Sequence, residues 1–362
     1  MKLLYITNKI AGVGGIQRVL SVKASYLAEY YGYDVTILAT NQFDNSKIEY
    51  PLSPKINTIT INPKRSLLFY FFSYKKLIKQ VIAIEKPDII IMCDNGIKSF
   101  LLPLLIKYIP LVYESHTTQY NVANENKGIA RIFYRIAARL IRKFDAVVAL
   151  TKTGAAELNT SNAHVIPNPL WINAVEESSL SAKKLVVLGR HDYQKGFDRL
   201  FEAWKIVSAK HPGWELEIYG EDNPDYDIKA MAAALSLDRI IFKKPVQDVA
   251  VAYADAAINL LPSRYEGFGL VIIEAAAFGV PTVAFDCPVG PGEIITNNKD
   301  GLLIPDGDIK AFAEAICMLI EDQSLRKELG KEAIVMSQRY AIVPVMGQWD
   351  RLFKSLKRAE VT

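Results

Sequence analysis

The hydrophobic residues of the chain fall into short continuous runs, which are separated by longer segments of helical periodicity. Continuous runs of Val, Ile and Leu are typical of strands that are covered on both faces. They predict strands at residues 3–7, 34–39, 56–61, 88–93, 110–114, 146–150 and 164–166, and again at 185–189, 215–219, 240–243, 256–261, 281–285 and 302–304. Because helices alternate with these strands, we predict an α/β protein with two doubly wound, Rossmann-like domains.

A linker divides the two series of strands. Residues 167–169 (Pro-Asn-Pro) precede a polar stretch at 176–184, and this composition is typical of a connection. We therefore expect one domain at 1–172 and a second at 173–340, which is an ordinary size for each in a chain of 362 residues. The last segment, 341–362, predicts an amphipathic helix.

Cysteine usage and hydropathy exclude several classes of protein. Cys93, Cys287 and Cys317 lie far apart without a CxxC spacing, so neither a disulfide framework nor a zinc site is indicated. No apolar stretch of signal-peptide length follows Met1, and no apolar run is long enough to span a membrane. We expect a globular protein of the reducing cytoplasm.

The net charge of +4 conceals an asymmetry between the two halves of the chain. Residues 1–171 hold 21 Lys and Arg against 11 Asp and Glu, whereas the remainder holds 22 against 28, so the halves carry about +10 and −6. This division favours an anionic partner for the first half, such as a membrane surface, a phosphorylated acceptor or nucleic acid. An unevenly charged solvated surface is the alternative.

A glycine-rich loop follows the first predicted strand at residues 11–17 (Ala-Gly-Val-Gly-Gly-Ile-Gln). It fails as a dinucleotide fingerprint because Gln17 stands where the third glycine belongs and Asp34 precedes the second strand. A nicotinamide enzyme is therefore not expected. The loop remains either a close-approach site for a ligand at a helix start or a simple tight turn.

Two cations lie on the loop after the first strand of the second domain. Arg190 and Lys195 are five residues apart between Gly189 and Gly196, a spacing that can hold a diphosphate. A solvated pair of loop charges is the alternative. Asp198, at the start of the next predicted helix, could serve as a cap.

Residues 266–274 (Glu-Gly-Phe-Gly-Leu-Val-Ile-Ile-Glu) place a carboxylate at each end of an apolar run. The apolar residues 270–277 predict a buried helix, so the amides of Leu270 and Val271 form an anion-binding site. Glu274 could accept hydrogen bonds from a ribose diol, and Glu266 could do so from sugar hydroxyls. Two surface acids that flank a core helix are the alternative.

Residues 185–303 resemble the donor half of the retaining glycosyltransferases of family 4, which have the GT-B fold. The resemblance rests on Gly-Arg at 189–190, Gln-Lys-Gly-Phe-Asp at 194–198, Pro-Ser-Arg-Tyr-Glu-Gly-Phe-Gly at 262–269, Glu-Ala at 274–275 and Gly-Leu-Leu-Ile-Pro at 301–305. The first half is similar through residues 14–20. In the family the end of the chain crosses back to the first domain, and the resemblance implies the same for residues 340–356. The resemblance implies two domains that face each other across a cleft.

The resemblance also implies a role for each residue of the donor site. Arg190 and Lys195 would grip the donor diphosphate, Glu274 the ribose and Glu266 the donor sugar, while Gly15 would face the phosphates from the first domain. The backbone around the helix start would assist them, at Phe268, Gly269, Leu270 and Val271.

The predicted catalytic residues are Glu266, Arg190, Lys195 and His116. In the family a histidine often stands where His116 follows a strand of the first domain, and a structural loop histidine is the alternative. The family's retention of configuration is usually explained by front-face attack, in which the donor's own phosphate oxygen takes the acceptor proton. The protein then positions the substrates and stabilises charge, and neither a metal nor another cofactor is expected.

The acceptor is predicted from charge and hydropathy in the first half. Residues 64–79 combine an apolar run with Lys75, Lys76 and Lys79, which is the composition of an interfacial helix. A basic stripe is predicted at helical spacing on Arg131, Arg135, Arg139 and Arg142. An anionic, membrane-held saccharide on a polyprenyl diphosphate would suit both features, and core helices with solvated edges are the alternative. No nucleic-acid-binding module is recognised.

The sequence therefore predicts a metal-independent, retaining glycosyltransferase at the inner face of the cytoplasmic membrane. Residues 286–295 resemble the branch that builds bacterial capsule, O-antigen and lipid-linked glycans, which implies UDP-linked Gal, GalNAc, GlcNAc or Glc as donor. A plain turn at a helix start, with Glu293 near the helix dipole, is the alternative for this loop. A sugar-nucleotide epimerase of the same architecture and a non-catalytic sugar-nucleotide-binding module are the alternatives.

Overall fold

The computed structural model describes residues 1–12, 14–42, 47–63, 67–94, 97–116, 132, 139–172 and 176–359. The chain forms two compact units, one of Met1–Pro169 with Ile342–Thr362 and one of Leu170–Ala341. The units therefore part at residues 169/170 and 341/342, a few residues from the boundaries that the sequence predicts.

The first unit is built on a seven-stranded sheet in which every described pair of strands is parallel. Its strands are β1 (Lys2–Thr7), β2 (Asp34–Ala39), β3 (Asn57–Thr60), β4 (Ile89–Met92), β5 (Leu111–Ser115), β6 (Ala146–Ala149) and β7 (Ala163–Val165). The strand order is β3-β2-β1-β4-β5-β6-β7. Each predicted strand of this half is confirmed, with ends displaced by a residue or two.

Two hydrophobic cores cover the faces of this sheet, because successive side chains of a strand point to opposite sides. Tyr5 faces a core with Leu27 of the first helix and Trp349 of the last, whereas Leu4 faces a core with Tyr74 of the second helix. The described helices are α1 (Gly15–Tyr30), α2 (Leu67–Glu85), α3 (Ile97–Phe100), α4 (Leu102–Leu105), α5 (Lys152–Leu158) and α13 (Ile342–Ala359), with a 3₁₀ segment at Arg139–Lys143. The C-terminal helix thus belongs to the first unit.

The second unit repeats the plan with six parallel strands in the order β10-β9-β8-β11-β12-β13. They are β8 (Lys184–Leu188), β9 (Glu215–Tyr219), β10 (Ile240–Lys243), β11 (Ile258–Leu261), β12 (Thr282–Asp286) and β13 (Leu302–Pro305). The helices are α6 (Phe197–Lys210), α7 (Ile228–Ala234), α8 (Ala250–Tyr253), α9 (Leu270–Ala277), α10 (Pro291–Ile294), α11 (Ile309–Glu321) and α12 (Gln323–Ser337). Two doubly wound domains are therefore confirmed.

The strand order of the second sheet reverses between β8 and β11, which are hydrogen-bonded neighbours. Ligands of open α/β sheets bind at such a reversal, outside the carboxyl ends of the strands. The loops that follow β8 and β11 are those of the two predicted donor-site motifs. None of the helices in the described ranges is long and apolar enough to cross a membrane.

Candidate active site

The loops after β8 and β11 are joined by direct hydrogen bonds. The backbone N–H of Arg264 donates to the carbonyl of Gln194 at 2.8 Å, and Nε2 of Gln194 donates to the carbonyl of Tyr265 at 3.0 Å. These residues are about seventy positions apart in the chain and meet because their strands are neighbours. The predicted cationic loop and the predicted carboxylate loop therefore form one site.

Gly196 allows the two loops to touch. Its φ of +66° lies in the left-handed region, and a Cβ built on it would be 2.1 Å from the carbonyl oxygen of Pro262. A side chain at this position would therefore be strained and would also push the β11 loop away. The positive φ and the close approach of the two loops therefore explain the glycine in the Gln-Lys-Gly-Phe-Asp motif.

Lys195 and Glu266 form an ion pair at the centre of this site. Nζ of Lys195 donates to Oε1 of Glu266 at 2.7 Å, and the hydroxyl of Ser263 donates to the same oxygen at 2.7 Å. Glu266 is only 6% exposed, so its charge depends on these partners. The sequence assigns Lys195 to phosphate and Glu266 to sugar, and the structure places the two groups in contact.

Arg190 lies on the same loop as Lys195 but has other partners. Its guanidinium is 68% exposed and lies 3.2 Å from a carboxylate oxygen of Asp192. It also donates to Oε1 of Gln194 at 3.1 Å. Arg190 therefore presents a solvated cation near Lys195, in a position to meet an anion that arrives from water.

Arg264 anchors the β11 loop to α6, a contact that the sequence does not reveal. Its guanidinium donates to both carboxylate oxygens of Asp198, at 2.8 and 2.5 Å, and to the carbonyl of Tyr193 at 2.9 Å. Partial burial alone would raise the pKa of Asp198, but the bonds and charge of Arg264 outweigh it, so this pKa is lowered. Gly196 occupies the N-cap of α6 and no described side chain caps it, so Asp198 is an ion-pair partner and not the predicted helix cap.

The helix α9 begins at the same edge of the sheet and has the bounds that the sequence predicts. Phe268 and Gly269 precede it, and the first amides of a helix, at Leu270 and Val271, have no partner within the helix. Glu274 lies about one turn inside and is 2% exposed. Its Oε1 accepts a hydrogen bond from the indole Nε1 of Trp171 at 3.3 Å.

The loop after β12 packs against the backbone in front of α9. Gly290 has a φ of +106°, and a Cβ built on it would lie 2.4 Å from the carbonyl oxygen of Phe268. The thiol of Cys287 is buried nearby, and burial, together with the charge of Glu266, raises its pKa far above the usual range. A third loop therefore completes the edge of the site.

Two predicted site residues, Gly15 and His116, belong to the first unit. Gly15 is the first residue of α1, and His116 directly follows β5. Nε2 of His116 lies 3.4 Å from Oε1 of Glu114. Glu114 is also paired with Lys23. The sequence predicts a role for neither residue, because they are 91 positions apart and no local pattern connects them.

The predicted acceptor residues are described only in part. Lys75, Lys76 and Lys79 lie on α2 and are exposed. Arg139 and Arg142 are exposed in the 3₁₀ segment. Arg131 and Arg135 lie outside the described residues, so the predicted basic stripe stays a prediction.

The fold and the site together define a class of protein. Two Rossmann-like units, with a cation and a carboxylate beside a helix start at the switch point of the second sheet, are the architecture of a GT-B glycosyltransferase. Residues 172–336 match the family model described as glycosyl transferases group 1, and residues 13–170 match that of glycosyltransferase family 4. The chain belongs to glycosyltransferase family 4.

Individual relatives agree with this placement. The chain is 28% identical to an uncharacterized glycosyltransferase of Haemophilus influenzae, over 96% of this chain and 98% of that protein. It is 27% identical to the amylovoran biosynthesis glycosyltransferase AmsD of Erwinia amylovora, with the same coverage of 96% and 98%. A mutant of TarM from S. aureus, solved with fondaparinux, alpha-GlcNAc-glycerol and UDP, superposes with a TM-score of 0.80 at 16% identity, covering 97% of this chain and 99% of that one.

Proposed function

We propose that this glycosyltransferase moves a hexose from a UDP-sugar to a saccharide acceptor with retention of configuration. The donor sugar is Gal, GalNAc, GlcNAc or Glc, and the acceptor is a glycan on a polyprenyl diphosphate used for a bacterial surface polysaccharide. The observation that supports this proposal best is the Lys195–Glu266 pair in front of α9, at the switch point of the second sheet.

The donor diphosphate binds between the cationic loop and the start of α9. An ammonium group has three N–H donors, and the contact with Glu266 uses one, so Lys195 can bind a phosphate oxygen without leaving its partner. Arg190 supplies a second cation from the solvent side. Together with the first amides of α9, these groups stabilise the negative charge that develops on the leaving UDP. The reaction then needs no metal.

The carboxylates orient the donor rather than attack it. Glu266 accepts hydrogen bonds from the sugar hydroxyls, and its place on a loop held by Ser263 fixes the direction in which it accepts. Glu274 accepts from the ribose diol. Transfer occurs by front-face attack, in which a donor phosphate oxygen takes the acceptor proton, and we assign His116 and Gly15 to donor binding.

The comparisons support the surface-glycan part of the proposal. AmsD takes part in amylovoran biosynthesis, and its similarity covers nearly the whole of both chains. The TarM mutant, a neighbour in fold, was solved in complex with UDP and alpha-GlcNAc-glycerol. A UDP-linked donor and a saccharide acceptor are consistent with both.

Exposed aromatic and basic residues of the first unit are suited to an acceptor that is held at a membrane. On α2, Phe69 and Phe72 are 62% and 71% exposed, next to the exposed lysines 75, 76 and 79. Tyr74 of α2 and Phe144, which directly follows the 3₁₀ segment, pack into the same core, so the exposed Arg139 and Arg142 lie in the same layer. Exposed aromatic side chains beside cations are the composition of a surface that binds anionic lipid.

An assay with a panel of UDP-sugars and lipid diphosphate saccharides tests the proposal. We expect one donor to give a lengthened, lipid-linked product by mass spectrometry, and NMR of that product to show the anomeric configuration of the donor. Release of an altered UDP-sugar without acceptor would instead indicate an epimerase, and binding of UDP without any product would indicate a binding module.

The variant Lys195→Ala tests the phosphate contact in the same assay. We expect a loss of about 2 to 4 kcal/mol of transition-state stabilisation, the scale of losing one donor to a developing anion. This corresponds to a rate roughly 30- to 1,000-fold lower. Lys205→Ala, on the exposed side of α6, is the matched control. A Lys195→Ala rate close to that of the control would contradict the assignment.

A further inference from the structure

The first unit contains a buried ion pair that the proposed transfer does not use. Lys23 of α1 contacts Oε1 of Glu114, at the end of β5, and the two side chains are 2% and 1% exposed. Nζ of Lys23 also lies 4.1 Å from the centroid of the Trp349 ring on α13. Charges this deep are stable only when they are closely paired, so the position of the Glu114 carboxylate is tightly fixed.

The remaining partners of Glu114 come from the ends of two neighbouring strands. Sγ of Cys93, which directly follows β4, donates to Oε2 of Glu114 at 3.2 Å. Nε2 of His116 lies 3.4 Å from Oε1. Glu114 and His116 are two positions apart in extended backbone, and this spacing places both side chains on the same side of the sheet.

Glu114 remains an acceptor in this environment. Burial alone would raise its pKa, but Lys23 and then His116 lower it, so its pKa lies well below the usual range and the carboxylate is ionised. Burial, and next the charge of Glu114, raises the pKa of the Cys93 thiol, which therefore stays protonated and donates. An ionised carboxylate accepts and cannot donate, so the contact with His116 requires a proton on Nε2.

We propose that Glu114 is a positioning residue for His116: held by Lys23, it accepts a hydrogen bond from Nε2–H and so fixes the ring with Nδ1 as its acceptor nitrogen. The protonated nitrogen of a neutral histidine is set by the hydrogen bond that the ring makes. A carboxylate behind a histidine is a common means of fixing the tautomer and the ring orientation. In the proposed transfer, Nδ1 is then the ring nitrogen left to accept a hydrogen bond from a substrate hydroxyl.

The same three side chains could be read as a metal site. Ligand-type atoms of Cys93, Glu114 and His116 all lie within 4.8 Å of one another. Lys23, however, contacts Oε1 of Glu114, and the Cys93 thiol donates to Oε2. A cation would have to displace an ammonium group from a buried carboxylate, so the hydrogen-bonded arrangement is favoured.

NMR of protein labelled with ¹⁵N-histidine tests the proposal on the full chain without reference to activity. The chain has four histidines, so the His116 signals can be assigned with one variant, His116→Gln. We expect the neutral His116 ring to carry its proton on Nε2. A proton on Nδ1 would overturn the proposal, as would a shift of the His116 signals on addition of one equivalent of zinc.

Variants of Glu114 and Cys93 separate positioning from packing. Glu114→Gln removes the charge that fixes the ring, so we expect a mixture of His116 tautomers, whereas Cys93→Ala removes only the contact with Oε2 and leaves the tautomer unchanged. If Glu114→Gln does not fold, the double variant Lys23→Met/Glu114→Gln takes its place. It removes both charges of the pair, which destabilises a core less than leaving one buried charge unpaired. An unchanged tautomer in either Glu114 variant would overturn the proposal.

The kinetic consequence rests on the proposed function. We expect Glu114→Gln to lower kcat about tenfold, the scale of losing the hydrogen-bonded carboxylate that orients a histidine, with the donor KM unchanged and Cys93→Ala near wild type. If Glu114→Gln gives a mixture of His116 tautomers but leaves kcat unaltered, the role of His116 in transfer is overturned. If the wild type has no transferase activity, the proposed function fails, and the NMR result still decides the hydrogen bond.

Discussion

At the scale of single residues, each unit keeps a lysine–glutamate pair near the carboxyl ends of its strands. The Lys195 side chain is 16% exposed although its partner Glu266 is buried, whereas both Lys23 and Glu114 are enclosed. Water-accessible charges can exchange partners with a ligand at modest cost, and enclosed charges cannot. The first pair is therefore suited to binding, and the second to holding a neighbour in place.

His191, beside Arg190 on the same loop, is a buried titratable group that should make stability depend on pH. Burial, the largest influence, lowers its pKa, and Lys229 lowers it further, while Asp222 and Asp192 act in the opposite direction. As the pH falls below the usual value of 6.5, the unfolded chain binds a proton here that the folded chain does not. The free energy of unfolding should then fall, by up to about 1.4 kcal/mol per pH unit for one proton.

Denaturant titrations at pH 7.5, 6.5 and 5.5 measure this dependence. His191→Gln should flatten the slope of unfolding free energy against pH below 6.5, and leave the slope above that value unchanged. The same replacement at the exposed His164 is the control. Equal slopes for wild type and His191→Gln would show that burial does not govern this histidine.

At the scale of elements, the proposed donor site depends on loops that approach more closely than side chains permit. The 3₁₀ turn at Tyr193–Lys195 ends at Gly196, which lies directly against the backbone of Pro262. The start of α9 is similarly covered by Gly290. Three loops therefore act as one structural element, although each follows a different strand.

Gly196→Ala should separate the cationic loop from the carboxylate loop. Its Cβ would meet the Pro262 carbonyl, and relief of that contact would move Lys195 away from Glu266. We expect transfer activity to fall roughly 100-fold, as for a displacement of about 1 Å at a reacting centre.

Gly307→Ala is the matched control for the loop-separation experiment. Gly307 also has a positive φ, of +83°, but the nearest atom to its Cβ would be 3.8 Å away. Both variants carry the backbone strain, and only Gly196→Ala carries the clash. Similar activities for the two variants would show that strain, and not loop separation, is responsible for the loss.

At the scale of the whole molecule, the charge asymmetry of the sequence becomes a division between two units. The basic residues of the first half include the exposed lysines of α2, beside the exposed Phe69 and Phe72. A net positive unit with an exposed apolar face is attracted to anionic lipid, and a net negative unit is not. The acceptor-binding role that we propose for the first unit is consistent with this division.

Vesicle co-sedimentation tests membrane binding through α2. Replacing Lys75, Lys76 and Lys79 with Gln should weaken binding to phosphatidylglycerol vesicles by about 3 kcal/mol, or roughly 100-fold, at about 1 kcal/mol for each lysine. Binding to phosphatidylcholine vesicles should be weak for every variant.

A control for the vesicle experiment changes the same number of charges in the second unit, as Lys205→Gln, Lys210→Gln and Lys310→Gln, all at exposed positions. We expect this triple variant to bind as the wild type does. If both triple variants lost binding equally, net charge and not the α2 face would explain it.

The sequence by itself determined the elements and many of their bounds. All thirteen predicted strands are present, and α9 begins and ends where the apolar run at 270–277 does. These features follow from local patterns, because a strand covered on both faces needs an apolar residue at nearly every position. The motifs around Lys195 and Glu266 also predict, through their resemblance to the family, the donor site that we propose.

Only the tertiary structure decided which charged groups meet. The contacts Lys195–Glu266, Arg264–Asp198 and Lys23–Glu114 join residues that are 71, 66 and 91 positions apart. A parallel sheet places the ends of strands side by side even when they are not consecutive in the sequence. Long crossover segments separate the paired residues in the chain, so no local sequence pattern links one partner to the other. The sequence can therefore show that a lysine and a glutamate each lie near the end of a strand, but their pairing is a property of the folded sheet.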